Sequence, residues 1–294
     1  MINNKDKLLF ITSMVIFSTI GIFRKYIPLS SDLVSFFRGI IGVIFLLLIV
    51  VFSKKKIDKQ AIKNNFLVLC LSGCFIGINW LLLFEAYKYT SVSIATLCYY
   101  MSPIFVLIGA SMFFKEKMNL KSIVCVIVSI IGMMFVSGLI NGGFDNKDDF
   151  KGIVLGLSAA ILYGSVVLLN KKITNINPYD KTITQLLFSA IILIPYIILN
   201  NSFKGISFNI DSILLLLVVG VVHTGLAYAL YFASMHKIST QSVAIFSYID
   251  PVLAIILSAL ILKETLTIYG IIGAILILGA TFISEFNFKK SRKN

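Results

Sequence analysis

The chain has 294 residues, of which 58% are hydrophobic and only 13% are charged, and its formal net charge is +13. Soluble domains carry about a quarter charged residues, so this composition excludes an ordinary water-soluble protein and indicates a polytopic membrane protein. The basic balance does not point to nucleic acid, since positive charge in a membrane protein reports the sidedness of its loops.

Apolar stretches of about 20 residues, each long enough to cross a hydrocarbon core, follow one another along the chain. The predicted spans are 8–27, 33–52, 66–88, 91–114, 121–140, 152–171, 182–199, 211–235, 239–262 and 267–285. We therefore expect an all-α membrane protein with ten transmembrane helices. The connections carry turn or charge signals, as at 27–32 and 53–56, and none is long enough for a soluble domain.

Basic residues are distributed unequally between alternate loops. If alternate loops lie on opposite sides, 18 of the 26 Lys and Arg residues fall on the side of both termini, 7 on the other side, and Arg38 inside a span. Cytoplasmic loops are enriched in Lys and Arg, so both termini of this multi-pass chain are predicted to lie on the cytoplasmic side of the cell membrane.

An internal repeat links residues 77–116 with residues 225–264 at an offset of 148. The matched residues include Tyr100 with Tyr248, Pro103 with Pro251, and Lys115-Glu116 with Lys263-Glu264. We predict two five-helix repeats, 1–140 and 152–288, joined by an extracytoplasmic linker at 141–151 and followed by a basic cytoplasmic tail at 289–294. Because five is odd, the second repeat has inverted topology, an arrangement typical of secondary transporters.

The motifs Tyr100-Met101-Ser102-Pro103 with Lys115-Glu116, repeated as Tyr248-Ile249-Asp250-Pro251 with Lys263-Glu264, carry a family resemblance. From about residue 8 to 285 the sequence resembles the EamA family of the drug/metabolite transporter superfamily. The resemblance implies an exporter or exchanger of small metabolites with cytoplasmic termini. It implies little about the substrate, because the superfamily handles amino acids, nucleosides, cofactors and cationic drugs.

We expect a small-molecule substrate, an amino acid or related zwitterion, moved by alternating access and with possible proton coupling. The alternative is proton-coupled efflux of cationic amphiphilic drugs. The chain has no phosphate-binding GxxxxGK, HExxH or nucleophile-elbow motif, so we predict no enzyme, metal or cofactor. An intramembrane enzyme acting on lipid, with His223 and Asp250 as acid and base, is the alternative of another class. The lipid bilayer is the other partner, nucleic acid is not, and a monomer is compatible with the sequence.

Counting 1.5 Å per residue from the start of each span sorts the polar and aromatic residues by depth. Those near the midplane form a cavity-sized group from several helices. The candidate substrate-binding residues are Thr19, Asn79, Trp80, Tyr100, Tyr163, His223, Tyr228, Tyr248 and Asp250. Their rings could stack on a planar or cationic solute, or only pack against neighbouring helices.

Asp250 and His223 are the two candidate coupling residues. A carboxylate at the centre of a span costs about 2.5 to 3.5 kcal/mol even on the insertion scale, so Asp250 needs a reason to be there. Either it binds and releases a proton that is coupled to transport, or it caps backbone freed by Pro251, as Ser102 would before Pro103. His223 either titrates or hydrogen-bonds across helices.

Arg38 and Glu85 are predicted near the outer ends of their spans. Arg38 is expected to extend its guanidinium toward the interface there, and the alternative is that the two residues form an outer gate. Two pairs of glycines, Gly73 with Gly77 and Gly152 with Gly156, have the small-xxx-small spacing that indicates close helix contacts.

The unequal basic count yields a topology prediction. A cysteine label placed within 145–149 should react from outside the cell, and one placed within 55–60 should react only from the cytoplasmic side. The measurement is labelling of intact cells with a membrane-impermeant maleimide, before and after permeabilisation. Labelling of both positions from one side would remove the inverted repeat as well.

Overall fold

The computed structural model describes residues 4–54, 56–115, 119–136, 147–204, 209–234, 237–238 and 246–285, and within them every regular element is helical. Seven helical stretches are long and apolar enough to cross a membrane: Asn4–Tyr26, Ser31–Phe52, Phe66–Tyr89, Val92–Phe114, Lys147–Asn170, Pro178–Leu199 and Ile210–Ser234. Three shorter apolar helices are Leu120–Val136, Ile249–Ile261 and Ile268–Ile283. The expectation of an all-α membrane protein is thus confirmed.

Several of these stretches are divided into shorter helices, which we number along the chain. They are α1 (Asn4–Ser18), α2 (Ile20–Tyr26), α3 (Ser31–Phe52), α4 (Lys59–Asn64), α5 (Phe66–Tyr89), α6 (Val92–Tyr99), α7 (Ser102–Phe114), α8 (Leu120–Val136), α9 (Lys147–Asn170), α10 (Pro178–Ile191), α11 (Leu193–Leu199), α12 (Ile210–Leu217), α13 (Ala227–Ser234), α14 (Ile249–Ile261) and α15 (Ile268–Glu285). A π-helical segment, Val218–Leu226, joins α12 to α13.

Helix α9 begins earlier than the sequence predicts. It starts at Lys147 rather than Gly152, so it takes up the last five residues of the predicted linker 141–151. Asp148 and Asp149 lie in its first turn, where negative charge is stabilised by the helix dipole, and hydropathy alone undervalues such a polar turn. Residues 137–146, the tail 286–294, Glu116 and residues 239–245 of the ninth predicted span lie outside the described part of the chain.

Two helix interruptions coincide with the repeated proline motifs. The chain leaves the α-helix at Tyr100 and Met101, just before α7, and at Tyr248, just before α14. Pro103 lies in the first turn of α7, where its missing N–H costs no hydrogen bond. The two equivalent motifs therefore interrupt two helices at equivalent positions.

The paired glycines lie at close helix contacts, as predicted. A Cβ at Gly73 would lie 2.5 Å from the carbonyl oxygen of Gln185, and one at Gly156 would lie 2.9 Å from the Cβ of Cys98. Many large apolar side chains point away from the helix contacts instead, including Phe52, Leu199 and Ile275. Such exposed apolar faces suit contact with lipid.

Contacts between connecting segments sort them into two ends of the bundle. At the terminal end, named for the N-terminus, the pairs are Lys237 with Asp6, Asn65 with Thr174, and Asp58 with Asp180. At the opposite end they are Lys151 with Tyr89, Glu264 with Val92, and Ser202 with Asp32. The connections that make these contacts lie at the ends expected if consecutive helices of the described residues run antiparallel.

Replacing Gly77 with Ala should destabilise the packing of α5 against the Pro178–Leu199 stretch. The added methyl would lie 2.8 Å from Ile192 Cγ2 and closer still to the carbonyl oxygen of Ser189. Overpacking of this kind costs about 1–3 kcal/mol. The measurement is the melting temperature of detergent-purified protein.

The matched control is Gly279→Ala, because nothing lies within 4 Å of a Cβ built at that residue. Alanine is a better helix former than glycine by about 1 kcal/mol, so this variant should be as stable as the parent or more so. Equal melting temperatures for the two variants would contradict the close contact at Gly77.

Candidate functional site

Arg38 is a buried charge in the first half of α3. Only 5% of the residue is exposed. Its guanidinium carbon lies 3.9 Å from the centre of the Trp80 ring, and its Nε donates a hydrogen bond to Thr224 Oγ1 at 2.8 Å. The expected extension of Arg38 toward the membrane interface is therefore wrong, because the Trp80 ring and the Thr224 hydroxyl hold the guanidinium inside the bundle.

The π-helical segment presents two adjacent polar residues to other helices. Thr224 meets Arg38, and His223 places its Nε2 2.8 Å from Thr19 Oγ1. Thr19 is the residue between α1 and α2, where the first span is interrupted. The Phe23 ring packs edge-on against His223 at 4.8 Å. A π segment changes the direction of side chains within a helix and is frequent at functional sites.

Asp250 meets Tyr100 across the two interrupted helices. The Tyr100 hydroxyl donates to Asp250 Oδ2 at 2.5 Å. The N-cap residues of α14 and α7, Tyr248 and Met101, make no side-chain cap hydrogen bond, and among the described residues the Asp250 carboxyl group bonds to Tyr100 rather than to the backbone beside Pro251. The carboxyl group instead faces a tyrosine hydroxyl at the junction of two repeat-equivalent motifs.

Tyr99 connects several of the predicted residues. Its ring lies 5.4 Å from Tyr163 and 6.2 Å from Tyr100, measured between ring centres. Its hydroxyl donates a long hydrogen bond of 3.4 Å to Asn79 Oδ1, while Asn79 Nδ2 donates to the carbonyl of Ala159. Asn79, Tyr100 and Tyr163 are thus brought together around a residue that the sequence did not single out as a binding residue.

Tyr228 and Tyr248 lie in aromatic packing rather than in this hydrogen-bonded group. Tyr228 stacks on Phe232 at 5.9 Å and meets Phe17 edge-on, although it is still near enough to Arg38 to interact electrostatically. Tyr248 meets Phe282 edge-on at 5.2 Å.

Arg38 and Glu85 do not form the ion pair that an outer gate would need in this conformation. Glu85 pairs with Lys88 one turn along α5, at 2.8 Å, and its side chain is 29% exposed. The Arg38 guanidinium lies inside the bundle, against the Trp80 ring. The two residues therefore belong to different environments of the bundle.

The opposite end of the bundle is closed by Glu264, a contact that sequence reasoning missed. Its carboxylate accepts hydrogen bonds from the backbone N–H groups of Val92 and Ser93, at 2.9 and 3.2 Å, and from the Ser258 hydroxyl. Lys263 has the left-handed φ of 55°, which turns the chain so that Glu264 reaches the start of α6. The Lys-Glu motif was the available signal, but its partner lies 172 residues away.

Comparison with known proteins assigns the chain to a family. The sequence matches the EamA-like transporter family over residues 6–138 and 150–286. The chain belongs to the EamA-like transporter family. The family predicted from the repeated motifs is thus confirmed, and the chain is a multi-pass membrane transporter.

The relatives of this EamA-like chain are named as transporters. An "Uncharacterized transporter YxxF" of Bacillus subtilis is 32% identical over 268 residues, 91% of this chain and 85% of that protein. A "Probable amino-acid metabolite efflux pump" of Salmonella typhimurium is 28% identical over 189 residues, 61% of this chain and 62% of that protein. A solved structure described as "Crystal structure of protein" has a TM-score of 0.66 at 16% identity and 96% coverage of both chains, which shows a shared fold alone.

Removing the Glu264 carboxylate should loosen the opposite end. Glu264→Ala loses charge-assisted hydrogen bonds to two backbone N–H groups, a loss of about 1.5–3 kcal/mol, and should lower the melting temperature measurably. Asp6→Ala is the control, because it removes a single 3.6 Å contact to a Lys237 side chain that is 63% exposed. Such a surface pair contributes about 0–1 kcal/mol. A smaller effect at Glu264 than at Asp6 would contradict this assignment.

Proposed function

We propose that this EamA-like chain is a secondary transporter that exports or exchanges a small polar metabolite, an amino acid or related zwitterion, by alternating access. In this proposal, ten transmembrane helices form two inverted five-helix repeats with both termini in the cytoplasm. Polar residues at the helix interruptions bind the solute. The rest of the bundle rocks about them and opens the site alternately to each side.

The observation that carries the proposal is the set of polar residues that meet between helices at the helix interruptions. Thr19 with His223 and Tyr100 with Asp250 each join an interrupted span to another helix. Irregular backbone at membrane depth is tolerated where it is buried in protein or lines a water-filled cavity, and transporters place their binding sites there. Polar groups inside a membrane span are costly, so a bundle that binds no solute is not expected to contain so many of them.

Features shared by the two halves support the inverted arrangement. Tyr100 and Tyr248 mark equivalent helix interruptions. Lys115 and Lys263, at the ends of the following helices, have nearly equal left-handed φ values of 54° and 55°. The family match also falls in two consecutive segments. Two similar halves that each contain an odd number of spans would enter the membrane in opposite directions.

An amino acid or related zwitterion is the substrate class that we favour. The Salmonella relative and a 25% identical protein of Escherichia coli are both named probable amino-acid metabolite efflux pumps. Efflux of cationic amphiphiles is the second candidate, because a carboxyl group lies beside several aromatic rings. Asp250 accepts a hydrogen bond from Tyr100, and the Tyr99 ring contacts the rings of both Tyr100 and Tyr163. The buried cation Arg38 argues against it, since like charge repels a cationic solute.

The enzyme alternative has no supporting geometry. His223 contacts Thr19, whereas Asp250 contacts Tyr100, and no hydrogen bond joins the imidazole to the carboxyl group among the described contacts. An acid and a base that serve one substrate atom need to converge on it. The named relatives are transporters, in agreement with the prediction that the chain is not an enzyme.

Reconstitution tests the proposed function directly. Purified protein in liposomes preloaded with one unlabelled amino acid should accumulate the same labelled amino acid by counterflow. A panel of amino acids, nucleosides and quaternary amines would identify the class. Counterflow of quaternary amines alone would favour the second candidate, and absence of counterflow for the whole panel would contradict the proposal.

Asp250→Asn tests proton coupling. The amide keeps the shape of the side chain and can accept from Tyr100, but it cannot titrate. If Asp250 carries the coupled proton, uphill transport driven by a pH gradient should fail while counterflow persists. Transport is measured per folded molecule between pH 5 and 8.

Two variants serve as controls for this test. Tyr100→Phe removes the hydroxyl that binds Asp250, so it should shift the pH dependence without abolishing coupling. Ser102→Ala, at the repeat-equivalent position, should leave the pH dependence unchanged. Wild-type uphill transport by Asp250→Asn would assign the proton to His223 or to no residue of the protein.

A further inference from the structure

Arg38 and Arg24 are equally buried but differently satisfied. Each residue is 5% exposed. Arg24 donates from Nη1 to the Ile27 carbonyl at 3.0 Å and from Nη2 to the Ser31 hydroxyl at 2.9 Å, and Glu85 and Asp32 lie close enough to interact with its charge. Arg38 donates a single hydrogen bond, from Nε to Thr224. Its terminal nitrogens have no hydrogen-bond acceptor among the described residues.

No carboxylate of the described residues offsets the charge of Arg38. The groups that interact with it electrostatically are the tyrosine hydroxyls of Tyr228, Tyr99 and Tyr87 and the His223 imidazole. The Trp80 ring supplies a cation–π contact, which offsets only part of the cost of removing a guanidinium from water. A buried charge is normally paired, so a site that binds an anion in its working cycle explains the missing partner.

We infer that Arg38, held on Trp80 and by Thr224, binds the carboxylate of the transported solute. This inference rests on the proposed function and names the part of the substrate that the site recognises. The Nε contact to Thr224 fixes the guanidinium plane and leaves both terminal nitrogens for the ligand. Two parallel N–H groups match the two oxygens of a carboxylate, which makes the pair short, charge-assisted and directional.

The surroundings of Arg38 favour a carboxylate over a phosphate ester. A phosphate ester carries nearly two negative charges at neutral pH, and proteins commonly meet it with several cations or a helix N-terminus. Arg24 lies over the same Phe84 ring as Arg38, but its terminal nitrogens are bonded to Ile27 and Ser31, so among the described residues Arg38 alone has terminal nitrogens left for an anion at this position. One guanidinium balances one carboxylate.

The same region of the bundle also contains Asp250. Tyr87, which is 4% exposed, interacts electrostatically with both Arg38 and Asp250. A buried cation and a half-buried carboxyl group therefore share a neighbour without forming an ion pair with each other. An amino acid carries the complementary pair of charges, whereas a cationic drug complements only Asp250.

The chain contains a built-in reporter for this site. Trp80 is its single tryptophan, and it lies in direct contact with the Arg38 guanidinium. A ligand that binds Arg38 changes the charge and polarity above the indole ring, so intrinsic tryptophan fluorescence reports binding at this position. Tyrosine emission is avoided by excitation at the red edge of the absorption band.

The experiment titrates detergent-purified protein with matched pairs of ligands. The pairs are leucine with leucinamide, threonine with threoninamide and phenylalanine with phenylalaninamide, together with 4-methylpentanoate, which keeps the carboxylate of leucine and lacks its amine. Phosphoserine and O-phosphoethanolamine test the phosphate alternative. We expect at least one acid to change Trp80 emission and to bind roughly 10- to 100-fold more tightly than its amide, as loss of a charge-assisted contact predicts.

Three variants assign the preference to Arg38. Arg38→Gln should abolish the difference between acid and amide, and Arg38→Lys should keep part of it, because the ammonium retains charge but not the paired N–H geometry. Arg24→Gln is the matched control. It removes an equally buried arginine whose two terminal nitrogens are already bonded, so it should lower the melting temperature and leave the preference for acids intact.

The results separate this inference from the proposed function. Equal binding of acids and amides by the wild-type protein, or an acid preference that survives Arg38→Gln, would overturn the carboxylate site while counterflow still supported transport. Tighter binding of both phosphoserine and O-phosphoethanolamine, which lacks the carboxylate, than of every unphosphorylated acid would overturn it too, as would no fluorescence change with any ligand. If Arg38→Gln does not fold, the comparison of acids with amides on wild-type protein still decides the matter.

Discussion

A bilayer core offers no hydrogen-bond partners, so each interruption of a helix within it must be compensated by the protein itself. This constraint organises the whole bundle. Where α1 gives way to α2, Thr19 donates to the Ile16 carbonyl and meets His223 on another helix. Where α6 gives way to α7, Tyr100 reaches Asp250. The polar side chains that compensate these interruptions point into the bundle, and they are the same side chains that form the candidate site.

The sequence predicts those parts of the fold that depend on local composition. Hydropathy places helix ends within a few residues for most spans, and the glycine pairs at Gly73 and Gly156 mark helices that touch. Repeated prolines mark the interruptions before α7 and α14. The sequence does not predict the early start of α9 at Lys147, because acidic residues in a first turn are stabilised by the helix dipole, which hydropathy does not measure.

The candidate site is predicted in composition but not in pairing. Depth counting selects His223, Asp250 and Trp80, yet it cannot show that Arg38 turns inward to Thr224, because these two residues are 186 positions apart. Nor does any sequence pattern mark the π-helical segment Val218–Leu226, which aims adjacent residues at two different helices. An arginine near the end of a span usually extends toward the interface. Arg38 does not, because the Trp80 ring and the Thr224 hydroxyl hold its guanidinium inside the bundle.

Differences between the two halves are more informative than their similarities. Within the aligned segments 77–116 and 225–264, Tyr100 with Tyr248 and Pro103 with Pro251 are shared and produce the common interruptions. The polar groups differ instead: Asp250 takes the place of Ser102, and Asn79 that of Ala227. Duplicated positions can build a scaffold that opens to either side, but a symmetric site would present the same groups to both ends of a solute. Under the proposed function, Asp250 has no carboxyl counterpart in the first half and Arg38 lies outside the aligned segments, so the two ends of a bound solute would meet unlike groups.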